Sequence, residues 1–245
     1  MTLVKRNIIA NFVGQGWSAL IGILFVPLFI KFLGIEAYGL IGFFAMLQAG
    51  FQILDLGLRQ TMNREMARYS VQPEKAGEAR DLARTLETVY WAIGIVISIA
   101  VVTAAPLIAG HWIKPGSIPV KTIQHAVMIM GVLVAIQWPL SLYEGGLMGL
   151  QKQMLNNGLK IGMTTFSTLG AIFILWKVSP TLMAFFTWQI IMSGIHLALL
   201  AVFLWRSLPS TDRSPSFTPR LLRNIWRFAA GMTGIAISAI ILTQL

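Results

Sequence analysis

The chain has 245 residues, of which 56% are hydrophobic and only 11% charged, whereas a soluble domain carries roughly 25% charged residues. That composition excludes an ordinary soluble enzyme or binding domain and places the chain in a membrane. A formal net charge of +10 would suggest nucleic acid in a soluble protein, so its distribution along the chain has to be read first.

A spanning helix needs about 20 predominantly apolar residues, and such runs recur at 8–31, 37–58, 86–110, 124–150, 157–177 and 181–205, with a seventh from about Phe228 to Leu245. The fold class predicted is all-α and polytopic. It comprises a six-helix transmembrane lobe (1–205), a cytoplasmic linker with an amphipathic helix (206–227) and the start of a second lobe (228–245). The first run is too long for a signal-peptide core, and no A-x-A-like cleavage site follows it. With no cysteine there is neither a disulfide framework nor a thiolate metal site.

Taken in chain order, the spans carry polar residues at helical spacing. Such residues are costly in a membrane and usually face a bundle interior or a water-filled cavity. Span one has Asn7, Asn11, Gly14, Ser18 and Gly22. Span two has Gln48, Gln52, Asp55 and Arg59, which at 3.6 residues per turn fall within about 60 degrees of one another. An acid followed at i+4 by a base is also a favourable helix pair, so an ion pair between Asp55 and Arg59 at a helix end is the plainer alternative to a built site.

The loop 59–85 mixes both charge signs and is expected to be helical with a break at Pro73. The widest outer loop, 111–123, is short, with Trp112 as an interfacial anchor. Span four repeats the polar spacing with Gln137, Ser141 and Glu144, followed by Gln151. An acid inside a span costs about 3 kcal/mol on insertion scales, so Glu144 suggests a cavity or coupling role. Gly145, Gly146 and Gly149 with Pro139 mark a close contact and a kink rather than a dimer face. Span five offers Asn157, Lys160, Thr164 and Thr168, and span six gives Gln189, Ser193 and His196. The Ser, Thr and Asn positions also suit bonds across helix interfaces.

After span six a Pro/Ser-rich linker, "SLPSTDRSPSFTP", leads to "RLLRNIWRF". There Arg220, Arg223 and Arg227 share one face, as in an amphipathic surface helix or plain positive flanking. The seventh run ends in "AISAIILTQL" without a polar flank, so the chain reads as a fragment cut in mid-span.

With a cytoplasmic N-terminus, 15 of the 19 Lys and Arg residues fall on the cytoplasmic side; Lys31, Lys114, Lys121 and Lys177 lie outside. The basic charge is then a topology signal. Anionic headgroups are the expected neighbours and nucleic acid is not.

Enzymes acting on lipid-linked sugars with Mg²⁺ need clustered acids, since hard cations take several oxygen ligands. The polar stripes in the spans hold only Asp55 and Glu144 as acids, and His111, His125 and His196 lack any metalloenzyme spacing. Transport is therefore expected, with no metal and no cofactor. Proton or sodium coupling through Asp55, Glu144 or His196 stays open.

"NIIANFVGQGWSALIGILFVPLFIKFLGIEAYGL" followed by "LDLGLRQTMNREMAR" resembles the N-terminal part of the Wzx-like polysaccharide-biosynthesis flippases. These belong to the superfamily that also holds multidrug and toxin exporters and the lipid II flippase. The resemblance implies two six-helix lobes around a cavity that opens alternately to the two sides of a bacterial inner membrane. It also implies an undecaprenyl-diphosphate-linked oligosaccharide as substrate, with other polysaccharide-assembly membrane proteins as potential partners. In support of a second lobe, Arg6–Ile8 with Gly14 recurs as Arg223–Ile225 with Gly231.

On this reading spans one, two and four line the cavity, with Asn11, Gln48, Gln52 and Gln137 facing sugar hydroxyls and Arg59 drawing the diphosphate. Asp55 orients Arg59 or takes a proton. A cation-coupled exporter of the same superfamily, or an enzymatic or non-catalytic membrane subunit of cell-envelope polysaccharide synthesis, is the alternative.

Overall fold

The structure is a computed structural model and describes residues 3–53, 55, 57–112, 116 and 118–244. Helix α1 (Leu3–Leu24) and helix α2 (Val26–Leu33) form one span with a joint at Phe25, because Pro27 in the first turn of α2 supplies no backbone N–H. Gly34, at φ +84°, ends α2 and donates its N–H to Ile30 O at 2.9 Å. Helix α3 (Ile35–Ile53) and helix α4 (Leu58–Tyr69) follow, separated by Gly57 at φ +66°. The second span thus stops short of the expected 58. A short 3₁₀ turn (Pro73–Lys75) then opens helix α5 (Ala76–Leu107), which finishes in a π-helical turn (Ile108–Trp112). The break expected at Pro73 is there.

Helix α6 (Val120–Gln137) and helix α7 (Leu140–Gly149) form one bent span, with the bend at Trp138 and Pro139. Helices α8 (Gln153–Lys177) and α9 (Leu182–Ser207) complete the bundle. Among the described residues, five stretches are long and apolar enough to cross a membrane: Asn7–Leu33, Pro73–Trp112, Val120–Gly149, Gln153–Lys177 and Leu182–Ser207. The sixth, α3, has a shorter apolar part, Ile35–Phe51. At 1.5 Å per residue its 19 residues still reach about 28 Å. Most observed helices outrun the predicted spans, because hydropathy marks the lipid-facing length while the helix continues into the polar boundary.

The chain is an all-α, multi-pass membrane protein. Its outer faces are apolar, with Phe12, Ile23, Val96, Phe166 and Phe173 all exposed, as lipid rather than water requires. Among the described residues, the interior holds two apolar clusters. One gathers Leu40, Phe44, Ala105, Met130, Leu175 and Phe186; the other gathers Met62, Met66, Leu86, Tyr90, Leu147 and Leu204. On α3, α6 and α9 the polar residues Gln48, Gln137 and Ser193 fall between the stretches that feed these clusters. The polar layer therefore sits at mid-depth.

Helix α7 approaches α4 backbone to backbone. A Cβ on Gly145 would meet Arg59 O at 2.6 Å, and one on Gly149 would collide with Asn63 O. The close contact expected of these glycines is thus internal, between neighbouring helices of one chain.

Helix α10 (Pro219–Gln244) runs unbroken through the expected junction near 227. Ile225 is buried, and Leu221 and Leu222 pack on the second apolar cluster, while Arg220, Arg223 and Arg227 are exposed. Part of its apolar face is thus taken up by the bundle, while Trp226 stays exposed.

The linker before α10 is fastened to α5. Asp81, 5% exposed, accepts from the Arg213 guanidinium, from Ser216 N at 2.7 Å and from Ser216 Oγ at 3.2 Å. Thr85 Oγ1 accepts from Thr218 N at 2.9 Å, and Arg80 donates to Pro209 O at 3.2 Å. In Asp81→Ala protein in detergent, tryptic cleavage after Arg213 is expected to speed up by roughly tenfold or more, as a loosened segment opens locally. Unchanged cleavage would show that the fastening holds nothing.

Candidate functional site

The α3–α4 break organises the site. Asp55 Oδ2 accepts from the backbone N–H of Arg59 at 3.0 Å, which satisfies one of the otherwise unpaired donors at the start of α4. Its other oxygen, Oδ1, accepts from Tyr90 OH at 2.5 Å and Ser141 Oγ at 3.0 Å. Tyr90 is fully buried on α5 and Ser141 lies on α7. One carboxylate therefore ties three helices to the break.

The Arg59 guanidinium turns away from Asp55 and pairs with Glu144 Oε2 at 2.8 Å, across to α7. The i+4 ion pair between Asp55 and Arg59 is thus replaced by a backbone cap and a partner from another helix. The reason is geometric: with α3 ending at Ile53 and Gly57 left-handed, 55 and 59 no longer stand one turn apart on a continuous helix. For the same reason the stripe from Gln48 to Arg59 is not a straight helix face.

Around this node is a cleft of about 330 Å³ lined by the polar Gln48, Asp55, Arg59, Gln60, Gln137, Ser141 and Glu144 and by the apolar Phe51, Val134, Trp138 and Leu140. A second cleft of about 290 Å³ lies between α8 and α9 and includes Thr164, Thr168, Gln189, Ser193 and His196. Gln137 and Leu140 line both. Gln48 Nε2 donates to Gln137 Oε1, and Gln137 Nε2 donates to Ser193 Oγ at 2.9 Å. This relay joins the polar stripes of spans two, four and six.

Of the residues expected from sequence, Gln48, Asp55, Arg59, Gln137 and Glu144 converge on the first cleft, and His196 lines the second. Gln52 is helical in its backbone, but its side chain lies outside the described residues. Asn11 lies elsewhere in the bundle. Its Oδ1 accepts from Asn157 Nδ2 at 2.6 Å, and Asn7 donates to Gln151 at 3.4 Å, so the stripe of α1 meets a matching stripe on α8. Among the described residues, neither cleft is lined by α1, and the second is lined by α8 and α9.

Sequence reasoning missed Tyr90, Gln60 and Trp138. Trp138 was within reach, being one residue from Gln137 and three from Ser141 beside the Pro139 bend. Tyr90 carried no signal, since no spacing rule links it to an acid 35 residues away.

Among the described residues, no three His, Cys, Asp or Glu side chains converge as metal ligands. At the α4 end, Tyr69 donates to Glu78 at 3.4 Å, and burial, reinforced by that carboxylate, pushes its phenol above the ordinary range. It therefore stays a neutral donor.

Fold and site together define a multi-pass helical membrane protein with a partly open cleft, lined by polar and apolar side chains, at mid-depth. The chain belongs to the polysaccharide biosynthesis protein family, whose family model matches residues 4–245. That agrees with the resemblance to the Wzx-like flippases. Neither a curated protein nor a solved structure gave a match.

Proposed function

We propose that the protein moves undecaprenyl-diphosphate-linked oligosaccharide repeat units from the cytoplasmic to the outer leaflet of a bacterial inner membrane. The observation that carries this reading is the polar cleft of amides, hydroxyls and one ion pair inside an apolar bundle, in a chain of this family. A cleft of that lining offers hydrogen bonds to sugar hydroxyls where lipid offers none. Transport needs no bond to be made or broken, and the cleft supplies binding groups without a clustered set of acids.

In this reading Gln48, Gln52 and Gln137 bind glycan, and the Arg59–Glu144 pair stands at the mouth. Asp55 and Glu144 beside the first cleft, and His196 beside the second, are the groups that could carry a coupling proton or ion. Arg64 and Arg68 on α4 and Arg220, Arg223 and Arg227 on α10 are exposed where these helices meet. This supports a cytoplasmic N-terminus with anionic headgroups near that end. Residues 1–205 then form the first lobe, and α10 begins the second.

Deleting the gene should abolish surface polysaccharide while lipid-linked repeat units accumulate. Accumulation of precursor sugars without lipid linkage would instead indicate an enzymatic role. Within the site, Arg59→Glu alone places three carboxylates in the cleft, and export is expected to fall at least about fivefold, the scale of a partly exposed ion pair lost. Combining it with Glu144→Arg restores the pair in reverse and should recover most export. A double variant as inactive as the single would show that the pair matters for more than its bond.

A further inference from the structure

The second cleft presents polar groups that the protein itself does not use. Thr164 and Thr168 stand one turn apart on α8, and Gln189, Ser193 and His196 follow a helical stripe on α9, so two polar stripes meet across about 290 Å³. Ser193 Oγ accepts from Gln137 at 2.9 Å, and Gln189 Oε1 accepts from Ser167 Oγ at 3.0 Å. The Thr164 and Thr168 hydroxyls, the Gln189 amide nitrogen and the His196 ring have no hydrogen-bond partner among the described residues.

These groups are not sealed in. The buried side-chain N and O atoms that lack a partner belong to other residues, Gln72, Arg80, Trp138 and Gln153, so the free groups of the second cleft keep surface of their own. Polar groups inside an apolar bundle are costly unless water or a ligand meets them. The cleft is therefore prepared for a polar occupant.

Its chemistry narrows that occupant. A threonine hydroxyl both gives and accepts, an amide nitrogen gives, and an imidazole keeps at least one N–H donor in either protonation state. Such a set complements hydroxyls, which also give and accept. Among the described residues no Lys or Arg lines this cleft, so a diphosphate would find no side chain of fixed positive charge to pair with. Met163 and Met192 belong to the wall, and methionine is pliable enough to fit an irregular apolar surface such as the C–H face of a sugar ring. About 290 Å³ is small for a ligand site. It fits one sugar unit rather than a whole repeat.

We propose that the second cleft is a separate subsite for one uncharged sugar unit of the lipid-linked glycan, held by Thr164 and Thr168 on one wall and by Gln189 and His196 on the other. The inference rests on the flippase reading and deepens it, because α8 and α9 then take part in reading the glycan. The two clefts share Gln137 and Leu140. A sugar in the second cleft thus places the next unit of the same glycan at the first, with Gln137 between them. His196 gains a binding role that does not depend on its carrying a proton.

The test uses the full-length protein in lipid nanodiscs. Its probe is the oligosaccharide repeat unit released from the strain's own polysaccharide, free of lipid and phosphate. Thr164→Val combined with Thr168→Val keeps the shape of both side chains and removes only hydroxyls that bond nothing in the protein, so the melting temperature should stay put. Probe binding is expected to weaken about tenfold or more, the scale of two lost hydrogen bonds. A second measurement serves if that variant fails to accumulate. In a background free of cysteine, Thr168→Cys should react with a water-soluble thiol reagent and the probe should slow that reaction severalfold, while leaving Asp212→Cys on the exposed linker unaffected.

Probe binding unchanged in the double valine variant, or no protection of Thr168→Cys by the probe, would overturn the subsite. Lack of lipid-linked intermediates on gene deletion would count against the flippase reading instead. Protection at Thr168→Cys in that case would leave the sugar subsite standing.

Discussion

Asp55→Ala is expected to abolish glycan export while leaving a folded but weakened protein. The substitution strips the acceptor from Tyr90 OH, which is fully buried, from Ser141 Oγ and from the backbone N–H of Arg59. Ser141 retains Trp138 O at 3.2 Å and loses little. Tyr90 keeps only Ser141 as a side-chain partner, and a buried donor left poorly satisfied costs about 1–3 kcal/mol. Together with the lost start of α4, the fold should lose about 2–4 kcal/mol. Asp55→Asn keeps a carbonyl that Tyr90 and Ser141 can share, so it should hold the fold and export partially. Thermal melting in detergent and quantification of surface polysaccharide decide it: export by Asp55→Ala at wild-type level would remove Asp55 from the site.

Gly149→Val should be the most damaging change away from the cleft. A Cβ there collides with the carbonyl of Asn63, and two further methyl groups would have to enter the α4–α7 contact. Overpacking of a tight core costs about 1–3 kcal/mol and sometimes more. Here the obstacle is backbone that cannot swing aside, so the cost should reach the top of that range and most of the protein should fail to accumulate. Gly158→Val is the control, because a Cβ at Gly158 meets nothing within 4 Å. Equal accumulation of the two variants would contradict the close approach.

These contrasts show what a sequence can carry. The polar stripes on α3, α6 and α9 were legible because a 3.6-residue period needs no partner to be seen. Whether a stripe faces a cleft or another stripe was not legible. Asn7 and Asn11 on α1 read much like Gln48 and Gln52 on α3, and only the presence of α8 with Asn157 separates them. The helix break was written in Gly57, yet a glycine in a helical pattern is often tolerated. What makes it decisive is α10, since a Cβ at Gly57 would meet Met232 Cβ at 2.5 Å and Ala229 O at 2.8 Å. Long-range pairings such as Tyr90 with Asp55 leave no trace in periodicity. They belong to the packing.

The fastened linker bears on how much slack the chain has. From Arg213 to Thr218 it is held by Asp81 and Thr85, and Pro209 is held by Arg80. Only residues 210–212 are left without such a hold, and three residues extend to about 10 Å at most. The connection from α9 to α10 is thus a short splint, although its composition is that of a flexible leash. A rocking motion that carried α10 away from α5 would have to strip the Asp81 and Thr85 bonds together. While they hold, α10 travels with α5 as one rigid piece.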